Sequence, residues 1–301
     1  MKYPVLEVDD RKTVLFYTAS RSDRQLSKPL IRRLEKSPLF NVITFSLPTD
    51  FEKAFRSVKR QLKDWTLINL VFCPYDRLEM LGAALMLWTH RVPLVQVHAG
   101  DFSSQGCFDD VARHMITLCS DIQFCVGKAS HDRAMHLLNL VGKPVDRCYL
   151  IDSIHMDDVK LSYKQVPYVP FDLVLYNPPT KRLDLLLEEV TSIDHLLEEN
   201  KPVIWIAPNE DEGRTWILEE VQRISRTKNV KLLKTLPRPQ FLGLLKKCDR
   251  AIGNSSSFFY ELPHFNKKHI HIGVRNTGRE YVDSTSGGSA QIVKILEGLY
   301  G

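Results

Sequence analysis

A turn of small polar residues and the two arginines that follow it form the pattern with the clearest chemistry. Residues 253–257 read GNSSS, and Arg275 and Arg279 follow beside Gly273 and Gly278. Small residues let a ligand approach the backbone, and free N–H groups at the start of a helix bind anions. Arginine adds a planar, bidentate grip on phosphate. This spacing predicts a phosphate-binding site.

The same turn also fits a purely structural role. Asn254 or Ser255 can cap the helix that is predicted to begin at FFYEL, and capping needs no ligand. The turn matches neither a Walker loop nor GxGxxG, which argues against a nucleoside-triphosphatase or a dinucleotide enzyme. Both interpretations of the turn remain open on these residues alone.

The first half of the chain contains a second chemical group, made of acids and bases. Its members are Asp76, Glu79, Asp101, Asp109 and Asp110, with Arg77, His98, Arg113 and His114 close in sequence. Carboxylates grouped at the ends of strands suit general acid–base work. Each of them alone also fits a helix cap or a surface ion pair. Asp109 and Asp110 open a predicted helix whose dipole favours acids, and Arg113 lies one turn further on.

Short apolar runs must position both groups. The runs are rich in Val, Ile and Leu and are apolar on both faces, as buried parallel strands are. They cover 14–19, 41–47, 67–73, 92–98, 122–127, 148–151, 172–177, 202–207, 230–236, 250–254 and 269–273. Amphipathic helix patterns lie between them, at 26–36, 51–65, 78–90, 182–199, 215–225 and 239–248. This alternation predicts βαβ units and parallel sheets.

The domain organisation follows from chain length and from one proline-containing stretch. A chain of 301 residues favours two domains, and SYKQVPYVPFD at 162–172 reads as a linker. We therefore expect an α/β protein with two doubly wound Rossmann-like domains, at 1–160 and 170–285. A helix at 286–301 can pack on either half. Ligands bind beyond the carboxyl ends of parallel strands, and polar residues follow the apolar runs in both halves of the chain. These residues therefore predict a ligand-binding cleft between the domains.

Composition excludes several classes of protein. The net charge of +5 is spread along the chain, which favours a mildly basic surface over a nucleic-acid surface. The six cysteines form no CxxC pair, so we expect buried, reduced thiols rather than a metal site or a disulfide framework. We expect no cofactor. No secretory signal and no apolar run of about 18 residues is visible. We expect a cytoplasmic protein that does not enter membranes.

The clusters taken together resemble the UDP-N-acetylglucosamine 2-epimerase family, and its hydrolysing branch is the nearer match. The similar segments are YDRLE at 75–79, HAGD through CSD at 98–121, PNEDEG at 208–213, GNSSSFFYE at 253–261 and GVRNTGRE at 273–280. They occur in the family's order and span most of the chain. The resemblance implies the GT-B fold, in which two Rossmann-like domains face each other.

Roles for individual residues are carried over from this resemblance. It implies that Asp76 and Asp109 are catalytic carboxylates, that His98 replaces a catalytic glutamate, and that Asp101 is a further catalytic candidate. It implies that Glu261 binds the ribose. The residues expected to bind the substrate, most of them around the diphosphate, are Arg21, Arg77, Arg113, Asn177, Asn209, Asn254, Ser255, Ser256, Glu261, Arg275, Gly278, Arg279 and Glu280.

Three departures from the family pattern qualify the implied activity. Asn177 stands before Pro178 where the family has a histidine, and Phe258 replaces the glycine that usually follows the serines. The stretch between SRSD at 20–23 and YDRLE is also short, so the first domain is expected to lack a strand and a helix.

The implied reaction removes UDP from a UDP-N-acetylhexosamine through a 2-acetamidoglycal and hydrates that intermediate to N-acetylmannosamine or a related sugar. Such a product would serve the synthesis of sialic-acid-type sugars or surface polysaccharide. We expect a homo-oligomer, a dimer or tetramer, whose partner is the nucleotide sugar rather than nucleic acid. Two alternatives remain: a GT-B glycosyltransferase, and a nucleotide-sugar-binding homologue with impaired catalysis.

Overall fold

The computed structural model describes residues 10–61, 65–104, 108–282 and 286–301. They divide into two compact units. The first holds the described residues within 1–101, 109–157 and 285–301, and the second holds those within 102–108 and 158–284. The described residues of 102–108 therefore group with the second unit although they follow a strand of the first, and the C-terminal helix groups with the first.

The first unit is built on one parallel sheet. Its elements in chain order are β1 (Lys12–Thr18), α1 (Arg21–Lys36), β2 (Phe40–Ser46), α2 (Phe51–Gln61), β3 (Leu70–Phe72), α3 (Leu78–Thr89), β4 (Leu94–Val97), α4 (Asp109–Cys119), β5 (Ile122–Val126), α5 (Lys128–Leu140) and β6 (Cys148–Ile151). The strand order is β2-β1-β3-β4-β5-β6 with parallel pairing throughout. Strands β1, β3, β4 and β5 are almost fully buried, as their unbroken apolar runs predict.

The second unit repeats this architecture with five strands among its described residues. Its elements are β7 (Asp172–Leu175), α6 (Leu186–Leu196), β8 (Val203–Ile206), α7 (Arg214–Ile224), β9 (Val230–Leu233), α8 (Arg238–Lys247), β10 (Arg250–Gly253), α9 (Ser257–Tyr260) and β11 (Lys268–His271). The order is β11-β10-β7-β8-β9, again parallel. The last helix, α10 (Gly288–Tyr300), belongs to the first unit.

The strand orders identify where each sheet can bind a ligand. In the first sheet β1 lies between β2 and β3, and in the second β7 lies between β8 and β10. The chain reverses its winding direction at these two points, so the loops after β1 and β3, and those after β7 and β10, part to leave a crevice. The α/β prediction of two doubly wound Rossmann-like domains is confirmed.

Local chemistry accounts for the helix ends that differ from the predicted ones. Helix α1 begins at Arg21 because Ser20 and Asp23 form a capping box, with Ser20 Oγ accepting from the Asp23 N–H and Asp23 Oδ2 accepting from the Ser20 N–H. The predicted helix at 182–199 starts as a 3-10 turn at Leu183–Leu185. Helix α5 has no counterpart among the predicted helices.

The cysteines and helices agree with an ordinary reduced, globular chain. The described cysteines, 73, 119, 125, 148 and 248, are buried and form no disulfide, whereas Cys107 lies outside the described residues. Within the described ranges, every helix is too short or too polar to cross a lipid bilayer.

Candidate functional site

Two asparagines lie at the crevice of the second sheet. Asn177 follows the end of β7, and Asn254 directly follows β10, the neighbouring strand. The Asn177 N–H donates to Asn254 Oδ1 at 2.8 Å, and Asn254 Nδ2 donates to the Asn177 carbonyl at 2.8 Å. Asn254 is fully buried, so this reciprocal pair satisfies an amide that cannot reach water.

The GNSSS turn is shaped by close packing as well as by polarity. Gly253 has a φ of 136°, and a Cβ there would lie 2.2 Å from the Leu175 carbonyl. Helix α9 is a single turn whose N-cap is Ser256, and the side chain of Ser256 makes no capping bond. The interpretation of Asn254 as a helix cap is therefore wrong, because its side chain bridges to β7 instead. Ser255 is buried and its Oγ accepts from the Ser257 N–H at 3.3 Å.

Arg279 is tied to this turn through Asn276. Asn276 Nδ2 donates to the Asn254 carbonyl at 2.6 Å, and Asn276 Oδ1 accepts from Arg279 Nε at 3.0 Å. The guanidinium also donates to Tyr260 Oη at 3.2 Å and to Ser103 Oγ at 2.5 Å. These contacts fix a buried guanidinium beside the turn, as the phosphate-site prediction requires of Arg279.

Arg275 takes a different position, over the loops that follow β7 and β8. Its Nη1 donates to the Pro178 carbonyl at 2.7 Å and to Asp211 Oδ2 at 2.8 Å. Asn209 Nδ2 donates to the same Asp211 oxygen at 2.8 Å, and the Asn209 N–H donates to Asn177 Oδ1 at 3.0 Å. A phosphate bound by Arg275 would share this arginine with Asp211.

Glu189 is a positioning residue that the sequence reasoning missed. Its Oε1 accepts from the Val274 N–H at 2.9 Å, and its Oε2 accepts from Tyr176 Oη at 2.5 Å. Burial raises the pKa of Glu189, and the two hydrogen bonds oppose that rise. A Cβ on Gly273 would lie 2.0 Å from Glu189 Oε2, which explains the glycine. An acid on the buried stripe of α6, three residues after Leu186, was the available signal.

The other predicted residues of the second unit lie in varied surroundings. Glu261 is buried and its Oε1 accepts from Arg238 Nη1 at 2.9 Å, so its predicted contact with a ribose would compete with that ion pair. Gly278 leaves room for the Phe102 ring, which a Cβ would approach to 2.8 Å. Ser256 is half-buried and Glu280 is exposed.

His269 and Phe258 show how the interior beside the turn is packed. The Phe258 ring is buried and meets His269 edge to face, with centroids 5.0 Å apart. His269 Nε2 donates to the Gly253 carbonyl at 3.0 Å, because a carbonyl only accepts, and Nδ1 therefore accepts from Tyr281 Oη at 2.7 Å. Burial lowers the pKa of His269 to about 4, so the ring is neutral at pH 7.

In the first unit, Arg113 lies between the carboxylates of two aspartates. Its side chain is 0% exposed and forms ion pairs with Asp76 and Asp110. Its Nη1 also donates to the Asp101 carbonyl at 3.0 Å, and Gln96 Nε2 donates to the Arg113 carbonyl at 3.0 Å. The guanidinium predicted to face a diphosphate is thus directed at protein carboxylates. Asp76 keeps 26% of its side chain exposed and can still meet a ligand.

The remaining predicted residues of the first unit lie near this group or at helix starts. Asp101 is buried, and Asp109 is the first residue of α4 and half-buried. Arg77 is exposed, and its Nε donates to Glu79 Oε1 at 2.5 Å. Arg21 is the first residue of α1, and its side chain lies outside the described part.

His98 and Tyr75 follow neighbouring strands in an unusual backbone conformation. Tyr75 follows β3 with a φ of 71°, and His98 follows β4 with a φ of 63°. Their rings stack with centroids 5.8 Å apart. Non-glycine residues in this region cost about 1–3 kcal/mol each and concentrate at functional sites. His155, which the sequence reasoning missed, contacts His98 through Nε2 at 3.1 Å.

The two strand-end groups have different chemical abilities. The first unit offers carboxylates and an imidazole, which transfer protons. The second offers a fixed guanidinium and a turn of small residues, which suit an anion. Among the described residues, no three histidine, cysteine or acidic side chains are grouped as metal ligands would be.

A comparison with known families decides the relationship. Residues 13–299 match the family model described as UDP-N-acetylglucosamine 2-epimerase. The chain belongs to this family. The resemblance drawn from the motifs is thereby confirmed, and the match extends from β1 into α10, across both units.

Curated relatives of the epimerase family are moderately similar. The chain is 29% identical over 236 residues to the hydrolysing UDP-N,N'-diacetylbacillosamine 2-epimerase of Legionella pneumophila, a match covering 74% of this chain and 61% of that protein. It is 24% identical over 312 residues to the UDP-N-acetylglucosamine 2-epimerase of Neisseria meningitidis, covering 89% of this chain and 81% of that one. The chain thus spans less than two thirds of the Legionella relative.

A solved epimerase structure has the same fold. The UDP-GlcNAc 2-epimerase from Neisseria meningitidis bound to UDP-GlcNAc superposes with a TM-score of 0.74 at 13% identity, covering 96% of this chain and 91% of that one. This similarity establishes the GT-B-like fold.

Proposed function

We propose that this protein is a hydrolysing 2-epimerase that acts on a UDP-N-acetylhexosamine. It eliminates UDP to form a 2-acetamidoglycal and hydrates that intermediate to N-acetylmannosamine or a related sugar. Family membership supports the substrate class, and the name of the Legionella relative supports hydrolysis. The proposal requires the proton-transferring residues of the first unit and the anion-binding residues of the second to reach one substrate molecule.

The network at the carboxyl ends of β7 and β10 is the observation that carries this proposal. Asn254 joins the two strands, Asn276 joins Asn254 to Arg279, and Arg279 is held by neutral oxygens of Tyr260 and Ser103. A guanidinium fixed in advance needs no reorganisation when negative charge grows on departing UDP. Its position beside the small residues of the turn suits a diphosphate.

The order of bond breaking follows from the acidity of the sugar. The hydrogen on C2 is not acidic, so no side chain removes it from the intact substrate. When UDP leaves with the electron pair of the C1–O bond, C1 acquires oxocarbenium character and the C2 hydrogen becomes acidic. In our proposal His98 removes this proton. Asp76, Asp101 and Asp109 place negative charge around the sugar, and one of them acts as the second acid or base. In the hydration step the C1–C2 double bond takes up a proton at C2, on the face opposite to the one that lost hydrogen, and water adds its oxygen to C1 and gives up a proton.

The decisive experiment follows the reaction in deuterium oxide. Purified protein is incubated with UDP-N-acetylglucosamine, UDP-N-acetylgalactosamine and UDP-N,N'-diacetylbacillosamine, and NMR records UDP and the sugar product. We expect release of UDP together with a free 2-epimeric sugar that carries deuterium at C2. A glycosyltransferase would release UDP only with an acceptor and leave C2 unlabelled. Absence of product from every UDP-hexosamine would exclude the proposal.

Asp76→Asn tests the assignment of the catalytic carboxylate. We expect kcat to fall by about 100-fold or more, since general acid–base groups contribute about 10²–10⁴-fold. Asp132→Asn is the matched control, because Asp132 lies on α5 of the same unit, is exposed and pairs at the surface with its helix neighbours Lys128 and His131. Thermal unfolding and UDP binding are measured in parallel, because Asp76 also pairs with buried Arg113. Full activity of Asp76→Asn would remove this residue from the mechanism.

Asn177 favours one second candidate, a nucleotide-sugar-binding protein without turnover. This residue replaces the histidine that the resemblance implies, and its Oδ1 accepts from the Asn209 N–H. Calorimetry with UDP and UDP-N-acetylglucosamine, together with the NMR assay, separates the candidates: binding without product supports the second. If Asn177→His then creates or raises turnover, the missing imidazole is the cause.

A further inference from the structure

Glu189 connects two loops that follow separate strands of the second sheet. Its Oε2 accepts from Tyr176 Oη at 2.5 Å, and Tyr176 directly follows β7. Its Oε1 accepts from the Val274 N–H at 2.9 Å, on the loop after β11. Strands β7 and β11 do not pair with each other, because β10 lies between them. One side chain of α6 therefore joins two loops whose strands are not neighbours.

Asparagines connect the same two loops by way of the turn after β10. Asn276 Nδ2 donates to the Asn254 carbonyl at 2.6 Å, and the Asn254 side chain exchanges hydrogen bonds with the backbone of Asn177. Asn177 follows Tyr176 in the chain, and Asn276 lies two residues after Val274. Hydrogen bonds and short chain segments thus form a closed circuit, here termed the Glu189 network, through Glu189, Val274, Asn276, Asn254, Asn177 and Tyr176.

Both arginines that are predicted to bind the diphosphate are attached to the Glu189 network. Arg275 lies within residues 274–276, and Arg279 Nε donates to Asn276 Oδ1 at 3.0 Å. Glu189 holds one end of this short segment, and the bond from Asn276 to the turn after β10 holds the other. The placement of both guanidinium groups therefore depends on where residues 274–276 are held.

The backbone around this segment adopts conformations that need support from its surroundings. Gly273 has a φ of 77° and the buried Asn276 has a φ of 65°. A left-handed conformation is uncommon for a residue other than glycine and persists where the surrounding structure holds it. A Cβ on Gly273 would lie 2.0 Å from Glu189 Oε2. The loop and the carboxyl group are therefore fitted to one another in a single arrangement.

A carboxyl group suits the position of Glu189 because both of its partners are donors. The Val274 N–H can only donate, and Tyr176 Oη donates to the second oxygen. Glu189 is less than one tenth exposed, and burial raises its pKa. Burial of an acid is unfavourable unless its hydrogen bonds are made. The bonds to the two loops are therefore what this residue adds over an apolar one.

We propose that Glu189 holds residues 274–276 in place and thereby sets Arg275 and Arg279 in advance for a diphosphate. Glu189 is a positioning residue, since its carboxyl group bonds the loops rather than the ligand. The network stands on its hydrogen bonds, and its use in binding a diphosphate rests on the proposed function. A site that is ordered before binding loses less freedom when the ligand arrives, so the network raises affinity.

Amide hydrogen exchange tests the hold on the loop without any ligand. The Val274 N–H should be protected in the wild type and in Glu189→Gln, because the Gln oxygen accepts from it and the Gln amide donates to Tyr176 Oη. Glu189→Leu removes both acceptors and should speed exchange at Val274 by about 10-fold or more. The amide of Ile193, on α6, should exchange as in the wild type. Unchanged exchange at Val274 in Glu189→Leu would overturn the proposal.

Calorimetry with UDP and with inorganic pyrophosphate tests the consequence for binding. We expect Glu189→Leu to raise both Kd values by about 10–50-fold and Glu189→Gln to stay within about threefold of the wild type. Tyr176→Phe, which removes one of the two donors, should lie between them. Glu188→Leu is the matched control, because Glu188 is the preceding residue of α6 and is exposed. It should bind both ligands as the wild type does.

A double variant separates positioning from a general loss of stability. Asn276→Gly opens the Glu189 network on its other side, and glycine retains the left-handed conformation. Because either substitution opens the same closed circuit, Glu189→Leu should cost less UDP affinity in Asn276→Gly than in the wild type. Fully additive losses would show that the two residues act separately, which would overturn the proposal. Amide spectra establish that each variant is folded.

The outcomes distinguish this proposal from the proposed function. Wild-type affinity for UDP in Glu189→Leu would overturn the positioning role and leave the proposed function intact. If Glu189→Leu does not fold, Tyr176→Phe decides, and an unchanged Kd for UDP in that variant would likewise overturn the role. Absence of turnover by the wild type on every UDP-hexosamine would reject the proposed function, whereas the Kd values would still decide the role of Glu189. A wild type that bound neither UDP nor pyrophosphate would reject both.

Discussion

Both units bury polar side chains at the ends of their strands, but the chemistry of the buried groups differs. In the first unit the central group is a fully buried cation, Arg113, between the carboxylates of Asp76 and Asp110. In the second unit the central group is neutral, with the Asn177 and Asn254 amides exchanging hydrogen bonds across β7 and β10. The first arrangement pairs a buried cation with carboxylates, whereas the second exchanges hydrogen bonds between uncharged amide groups.

This difference teaches which site can tolerate change. A buried ion is stable only while its counter-ions remain, since isolated charge in a protein interior is strongly unfavourable. A buried amide loses less when one partner goes, because no net charge is left behind. We therefore expect removal of one partner to cost the first group more stability than the second, and we expect the second group to be stable only while it stays uncharged. The following predictions test this contrast in order of decreasing effect.

Removal of the buried cation should have the largest effect on stability. Arg113→Met keeps much of the side-chain volume but leaves Asp76 and Asp110 without their shared cation, and we expect the free energy of unfolding to fall by about 3–5 kcal/mol. Urea denaturation monitored by circular dichroism measures it. Arg182→Met is the control, because Arg182 and its partner Asp184 are both largely exposed and such pairs add little to stability. Equal losses in the two variants would refute the contrast.

Acid should destabilise the second group through His269. The pKa of His269 is about 4 in the folded protein and about 6.5 in the unfolded chain. Above pH 6.5 both states are neutral and the residue adds no pH dependence. Between pH 6.5 and pH 4 the unfolded chain binds a proton that the folded ring does not, so stability falls with decreasing pH.

A comparison with His269→Gln isolates this effect. Between pH 7.5 and pH 4.5 the wild type should lose about 2–3 kcal/mol more unfolding free energy than the variant, whose amide N–H can still donate to the Gly253 carbonyl. Other titrating groups are common to both proteins and cancel. If the unfolding free energies of the two proteins changed with pH in parallel, the folded protein would accept a proton on His269 without losing stability. The second group would then not depend on being neutral.

Loss of the central amide should have the smallest of the three effects. Asn254→Ala removes both bonds to Asn177 and leaves one N–H and one carbonyl to find other partners, and we expect a loss of about 1–3 kcal/mol. Asn209→Ala, at an exposed amide of the adjoining loop, should change stability by less than about 1 kcal/mol. A loss at Asn254 as large as that at Arg113 would erase the distinction between the groups.

Local patterns were sufficient for the fold and for the family. Apolar runs predicted all the strands that the structure describes. Burial on both faces accounts for the composition of β1, β3, β4 and β5, whereas the edge strands β2, β9 and β11 are only partly buried. The GNSSS turn and the segment around Arg279 predicted an anion site, since small residues and guanidinium groups carry their chemistry wherever they are placed. Gln96, a polar residue within an apolar strand, was a signal of an internal contact that the sequence reasoning did not use.

Only the tertiary structure decided which of these groups meet. Along the sequence, Arg113 and Asp76 are 37 residues apart and His98 and His155 are 57 apart. Glu189 lies 85 residues from Val274, whose N–H donates a hydrogen bond to it. Strand order brings such pairs together, and strand order depends on how helices pack over the whole sheet rather than on any local run of residues. The sequence therefore determined the kinds of chemistry available, whereas long-range packing decided which buried partner each charged group meets.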